Sequence, residues 1–475
     1  EAVAQKLLSA IAAEVDKPVV EAAIQVNGLE VQATPGQVGR AVDIPATLQA
    51  LEEQVRKLAD GIVPLVIVET PPLVLDASRQ AETARHILSA PLVLQLAEFK
   101  EGDPGPWQIE PQQLAAMLSI ERQQTPEGVQ FQVGVSSDAL RTYLTALSAP
   151  IERRPADARF IFNNQTRQLE LIQPAVIGRS LDIEASLQAI QEKLAAGEHS
   201  APLVLITSQP QVRDDVKAEE LGITQLIIEE TTYFYGSSAS RIQNIQTAAG
   251  RFHGVLVPPG AVFSMAEVLG DVSLDNGYAE ALIIYGNRTI KGVGGGVCQV
   301  STTLFRTVFF AGYPVVERHP HAYRVYYSEL NAANQVDSRM AGLDATVYVP
   351  VVDFKFKNDS PHWLLMETYV NAAARTLTWK FYSTSDGRTV EWETTGLQNI
   401  VEPPEPLYQE NPELPGGEII QVDYEAQGAD VSITRTVMLN GVVLYQDVFS
   451  THYLPWRAVY DYGPGTVLPD KLIRR

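Results

Sequence analysis

The chain has 475 residues, 45% of them hydrophobic and 20% charged, with a formal net charge of −21 and a pI near 4.8. That length exceeds a single hydrophobic core, since domains run to roughly 100–200 residues, and the composition excludes a largely disordered or fibrous chain. The acidic surplus argues against nucleic acid or anionic lipid as partners, because both require clustered Lys and Arg.

No run approaches the roughly 20 apolar residues that span a bilayer. The numbering opens on Glu1 without an initiator Met, so a signal peptide or anchor is expected only ahead of it. Cys298 is the sole cysteine, which excludes an intrachain disulfide and leaves the redox compartment unread.

In chain order the first signal is a duplication. The segment GQVGRAVDIPATLQALEEQVRKLADGIVPLVIVETPP from Gly36 matches PAVIGRSLDIEASLQAIQEKLAAGEHSAPLVLITSQP from Pro174 through Gly39/Gly178, Arg40/Arg179, Asp43/Asp182 and Ile44/Ile183. The likeness continues upstream, AAIQVNGLEVQATP against ARFIFNNQTRQLELIQP. Each copy reads as an alternating strand, a turn, an Asp placed to accept from free helix N–H groups, a helix and a short apolar strand at 65–68 or 203–206. The helices carry Leu48, Leu51, Val55 and Leu58, or Ile183, Leu187, Ile190 and Leu194, at three- and four-residue spacing. Arg40 and Arg179 fall in the turn before each helix, where they either bind a carboxylate-bearing peptide or brace the turn. The boundaries read as a first module at 1–84 and a second at 85–214, completed by PLVLQL, PWQIEPQQLAAML, FQVGV and DALRTYLTAL between the copies. The copies are expected to be spatially separate.

Residues 221–395 form the next region and hold the candidate chemistry. After it, 401–418 is a proline-rich acidic linker, and 419–475 a small β-rich module in which Asn440-Gly441 suits a tight hairpin between two alternating runs.

In GVGGGVCQVSTTLFRTVFFAG, three glycines precede Cys298, and Val300, Leu304 and Val308 mark a helix stopped by Gly312 and Pro314. A cysteine at a helix N-terminus is biased toward the nucleophilic thiolate. Gly295 and Gly296 can bring backbone N–H groups to an oxyanion. They are candidate substrate contacts with Gln299 and Ser301, although Ser301, Thr302 and Thr303 also suit satisfying backbone groups in the first turn. The bland alternative is a glycine turn ending in a buried thiol. The glycines lack the strand, spacing and acidic residue of a dinucleotide site, and no cofactor is implied.

Downstream, VVERHPHAYRVYY reads as an extended segment interrupted by Pro320, whose alternation would put Glu317, His319 and His321 on one face. One histidine can serve Cys298 as base while the other, or Glu317, orients it; a solvated edge strand is the alternative. Asp344 either orients a histidine or caps a turn. Arg324 either holds a substrate carboxylate or makes an ordinary ion pair. Zinc on Cys298 and the His-X-His pair lacks further ligand spacing, and no metal is assigned.

The segments RIQNIQTAAGRFHGVLVPPGAVFSMAEVLG, GVGGGVCQVSTTLF, ERHPHAYRVYY and GLDATVYVPVVDFKFKND occur in the order of the motifs of the VanW domain, and the chain resembles the VanW-like family over about 140 residues. The second repeat, about 85–210, is similar to the peptidoglycan-binding domain that precedes VanW domains. The resemblance implies an extracytoplasmic envelope protein, cell-wall or membrane-anchored, with peptidoglycan as partner; relatives include neighbours of glycopeptide-resistance genes. It further implies L,D-transpeptidase activity with Cys298 as nucleophile and His321, which aligns with the motif's central histidine, as base. Residues 328–340 are longer than in many relatives. The expected fold is α+β and multidomain: two small α+β modules, a mixed VanW-like domain and a β-rich end. The rival reading is a noncatalytic peptidoglycan-binding or scaffold protein.

Overall fold

The computed structural model describes residues 2–126, 128–285 and 288–468. The architecture is mixed α+β, with many small and mostly antiparallel sheets, as expected. Packing divides the chain into two compact units, one of residues 1–156 with 177–209, the other of 157–176 with 210–475.

In the first unit the repeated Asp-Ile pair starts a helix in both copies. Asp43 Oδ1 accepts from Ala46 N at 2.9 Å ahead of helix Ile44–Arg56, and Asp182 Oδ1 from Ala185 N at 3.0 Å ahead of helix Ile183–Ala195. Asp182→Ala is expected to cost about 1 kcal/mol, read as a lower urea midpoint by circular dichroism; an unchanged midpoint would deny the cap its role. The paired arginines both brace the chain ahead of their helices. They lie in the short strands Gly39–Val42 and Gly178–Leu181, not in turns; Arg40 Nε donates to Val15 O at 2.8 Å and Arg179 Nε to Ile151 O at 3.0 Å, tying each strand to the last residue of the preceding helix, Ala2–Val15 or Ser137–Ile151. Arg179 is further neutralised by Asp103 at 2.5 Å.

The copies diverge in burial. Leu187, Ile190 and Leu194 lie in the core with strands Leu92–Leu96 and Ser200–Leu203. Val55 is exposed, and Leu58, past the end of its helix at φ 48°, is 93% exposed. The difference lies in the neighbours: the first helix packs on helix Ala2–Val15, whereas the second also meets a sheet. Nor are the copies separate bodies, because the helical halves of both belong to this unit. The hairpin Arg159–Asn163/Gln168–Gln173, read with the second repeat, belongs instead to the second unit, where Phe160 and Phe162 bury against Leu256, Leu365 and Tyr382.

The second unit is built around helix Val297–Ala311, whose residues are buried on nearly every side. It packs on an antiparallel sheet ordered Gln225–Tyr233, Thr376–Ser383, Leu364–Asn371, Val255–Val257. Phe305, Phe309, Phe354, Phe356, Trp379 and Phe381 form the centre of its core. A three-stranded sheet of Val262–Ser264, Lys355–Lys357 and Val315–Glu317 flanks it.

The C-terminal strands belong to the same unit. Gly428–Leu439 and Val442–Tyr453 pair around Asn440 (φ 53°) and Gly441 (φ 77°), the tight hairpin expected from that dipeptide. Arg388–Thr394 and Gln398–Val401 pair with Gly428–Leu439, and Leu407–Glu410, inside the proline-rich stretch, runs parallel to Val459–Tyr462.

Candidate active site

Helix Val297–Ala311 starts where Gly296, at φ 114°, makes a turn that a side chain would resist. A Cβ on Gly296 would also come within 2.9 Å of Arg241 O, and one on Gly295 within 2.3 Å of Leu282 O. The glycines thus allow the helix start to press against helix Ala239–Gly250 and hairpin Glu280–Tyr285/Arg288–Val293. Asn244 Nδ2 donates to Gly295 O at 2.9 Å and fixes the turn.

Cys298 follows at the second helical position, half-buried at a cleft of about 1160 Å³. The walls come from 235–238, 241, 269, 271–272, 281–283, 293–298, 320–327, 346–349, 352 and 422–426.

The strand Val315–Glu317 ends three residues before Pro320, and the chain beyond the proline brings His321 into the interior. His321 N donates to Asp344 Oδ2 at 2.8 Å, and Nδ1 donates to the same oxygen at 2.6 Å, since a carboxylate only accepts. This leaves Nε2 as the acceptor. It is buried with no partner at hydrogen-bond distance among the described residues, and the Cys298 thiol is near enough for each group to shift the other's ionisation.

Asp344 is itself held. Tyr453 Oη donates to its Oδ1 at 2.6 Å, and Arg318 Nη2 to the same oxygen at 3.3 Å. Arg318 also donates to Asp344 O and Gly342 O, both at 2.7 Å. Ser301 Oγ donates to Ala345 O at 2.6 Å, and Thr302 Oγ1 accepts from Ala345 N at 3.2 Å, so the first turn of the cysteine's helix carries the Asp344 loop.

The electrostatics follow from this frame. Burial opposes charge on Asp344, but the bond and charge of His321, the Arg318 guanidinium and the Tyr453 hydroxyl hold its carboxyl well below the usual range. Burial likewise opposes the His321 imidazolium, yet the bond to Asp344 and the neighbouring Cys298 sulfur raise its pKa well above the ordinary value. Burial pushes the Cys298 thiol up, and the neighbouring His321 with its charge, together with Val347 O and the Arg241 charge, outweighs it and brings it down. Both shifts favour the thiolate–imidazolium form over the neutral pair, and the two groups titrate together. Alkylation of Cys298 is expected to persist well below the ordinary thiol midpoint of about 8.5. A pH–rate profile with that ordinary midpoint would contradict the pairing.

Of the residues read from sequence, Cys298, His321 and Asp344 come together, with Gly295 and Gly296 on the cleft wall. Glu317 and His319 do not join them. His319 is 51% exposed against 2% for His321, its Nε2 meets Glu317 Oε1 at 3.1 Å, and Glu317 also binds Lys355 Nζ at 2.8 Å. Simple alternation fails because the strand stops at Glu317, which leaves both histidines beyond it with Pro320 between them. Gln299 and Ser301 are buried in internal bonds, and Arg324 lines the cleft but is paired with Glu329 at 2.8 and 2.6 Å. The long stretch 328–340 folds as two 3₁₀ turns with a bridge between Leu330 and Val336.

Sequence reasoning missed Arg318, Tyr453 and Arg241. Arg318 sits inside ERHPH, where its odd position in the alternation is a usable signal. Tyr453 lies 109 residues beyond Asp344 with no local pattern. Among the described residues no group of three or more His, Cys, Asp or Glu converges as a metal site, and no helix is long and apolar enough to cross a membrane.

Comparison with known proteins gives these features a family. Residues 240–382 match the family model described as "VanW like protein", and 1–63 with 110–201 match "Putative peptidoglycan binding domain". The second match takes in the first repeat as well as the second. The chain is 38% identical over 174 residues to the uncharacterized protein YoaR of Bacillus subtilis, covering 36% of this chain and 54% of that one. It is 26% identical over 121 residues to the vancomycin B-type resistance protein VanW of Enterococcus faecalis, covering 26% and 42%. The chain thus spans about half the length of the curated relatives it matches. Two solved structures, the IgA1 protease G5 domain and HP0197-G5, align with 16% of the chain at 17% and 15% identity and TM-scores of 0.11 and 0.09, too low to establish a shared fold. The chain thus carries a VanW-like domain, which holds Cys298, His321 and Asp344, behind segments that match the putative peptidoglycan-binding domain.

Proposed function

We propose that the chain is an extracytoplasmic, cell-envelope protein acting on peptidoglycan by cysteine acyl transfer of the L,D-transpeptidase type. One observation carries this reading: a buried Asp344–His321 pair leaves its free Nε2 beside the chain's only thiol, on the wall of a cleft.

In the first step the Cys298 thiolate attacks the carbonyl of a stem-peptide diamino acid. The carbonyl–nitrogen bond breaks, and His321 gives its Nε2 proton to the departing amine of the terminal residue. A thioester remains. An acceptor amine then attacks it, His321 takes the proton released, and the thiolate leaves as the new amide forms. Asp344 keeps the Nδ1–H tautomer and stabilises the imidazolium without taking the proton itself. Helix Val297–Ala311 adds its positive end at Cys298.

The test is incubation of purified protein with disaccharide-tetrapeptide, followed by mass spectrometry. Release of the terminal amino acid, a thioester adduct on Cys298 and a cross-linked dimer are expected. Binding to sacculi with none of the three products would sink the catalytic reading and leave the noncatalytic one.

A further inference from the structure

We propose that Arg241 is the carboxylate-binding residue of the cleft, so that the acyl donor is a peptide whose residue beyond the scissile bond ends in a free carboxylate. This rests on the reading of Cys298 as an acyl-transfer nucleophile and adds to it the recognition of the leaving group.

The described cleft residues include two guanidinium groups, Arg241 and Arg324. Arg324 is spent: both its bonds go to the buried carboxylate of Glu329. Arg241 is differently placed. Its Nη1 donates to Ser237 Oγ at 2.6 Å and its Nη2 to Gln299 Oε1 at 3.1 Å, and the guanidinium lies 4.5 Å from the centre of the Tyr327 ring. Those partners are neutral. They aim the group without cancelling its charge.

The aim is secured from behind. Gln299 is buried, and its Nε2 donates to Thr232 Oγ1 at 2.7 Å, so the amide oxygen facing Arg241 has a fixed orientation. Gln299 is also the residue after Cys298, and Arg241 backbone packs on Gly296. The same short turn therefore positions the thiol and the cation together. A planar cation with a fixed fork beside a nucleophile suits a carboxylate, which it meets with parallel charge-assisted bonds. A peptide ending one residue past the attacked carbonyl carries such a carboxylate, and the leaving amino acid takes it away.

Because Cys298 is the sole cysteine, alkylation reports this site without interference. The measurement compares the rate of iodoacetate, which carries a carboxylate, with that of neutral iodoacetamide, each referred to glutathione. The wild-type ratio is expected to exceed the glutathione ratio by about tenfold, the scale of one charge-assisted contact. N-acetyl-D-alanine should protect the thiol while its amide does not. Arg241→Gln should return the ratio to that of glutathione, and Arg241→Lys should keep part of the excess. The ratio cancels any general change in thiol reactivity. A wild-type ratio equal to that of glutathione, equal protection by acid and amide, or an unchanged ratio in a folded Arg241→Gln protein overturns the proposal. If that variant does not fold, the wild-type ratio and the protection still decide. Turnover is not needed for any of these readings: carboxylate preference without cross-linking refutes only the acyl-transfer reading, and cross-linking without preference refutes only the role of Arg241.

Discussion

Cys298→Ala is expected to abolish the thioester adduct, and Asp344→Asn to lower the rate of acyl transfer by about 10⁴-fold, the loss seen when a histidine's orienting carboxylate becomes an amide in a comparable triad. The asparagine keeps the volume of the side chain and one acceptor oxygen. Its amide nitrogen, however, cannot accept. The present carboxylate takes four donations, from His321 N, His321 Nδ1, Tyr453 Oη and Arg318 Nη2. An amide must turn its NH₂ toward one of these pairs of donors, and turned toward His321 it forces the other tautomer, with the proton on the nitrogen that should accept from the thiol.

The direction of the pH effect follows. Asp344 raises the pKa of His321, and the imidazolium in turn lowers that of Cys298. Without the carboxylate's charge the imidazolium loses its support, and the alkylation midpoint of Cys298 should move up toward the ordinary thiol value of about 8.5. A structural defect alone would lower activity without moving that midpoint upward. If Asp344→Asn retains the wild-type midpoint and rate, Asp344 only caps its turn.

The legibility of this site was uneven for physical reasons. Local chemistry was readable: glycines before Cys298 fixed a helix start, Gly312 its end, and Asn440-Gly441 a hairpin. Asp43 and Asp182 could be identified as caps because a cap bonds within three residues. The choice between His319 and His321 was harder, because it depends on where the chain turns after Pro320 and on a carboxylate 23 residues away. Tyr453 was out of reach, since it enters through tertiary packing of a strand that pairs with Gly428–Leu439. The same limit explains the first repeat helix. Its periodic Val55 and Leu58 matched the pattern of the second copy, but periodicity records a face and does not supply the sheet that buries it.

The C-terminal sheet therefore does more than follow the VanW-like region. Tyr453 bonds Asp344, residues 422–426 line the cleft, and Trp456 stacks on Tyr323 at 4.0 Å. The residue that ties this sheet to the cysteine's helix is Arg435. Its side chain is fully buried, and Nη1 donates to Phe309 O at 3.0 Å and Tyr313 O at 3.2 Å, carbonyls at and just past the helix C-terminus. A cation there complements the negative end of the helix. The guanidinium also lies 5.1 Å from the Phe309 ring centre and 5.4 Å from that of Phe449, and its Nη2 pairs with Asp447. Arg435→Ala should thus strand buried carbonyls, open a cavity and release the sheet, costing about 3–5 kcal/mol, the range for breaking a buried charged contact. Asp447→Ala should cost only about 1 kcal/mol, because Asp447 is 32% exposed and water can replace it on one side. Urea unfolding followed by tryptophan fluorescence compares the two, since Trp379 and Trp392 lie in the sheets on either side of this helix. Equal losses in the two variants would mean that the ion pair, and not the grip on the helix carbonyls, holds the sheet in place.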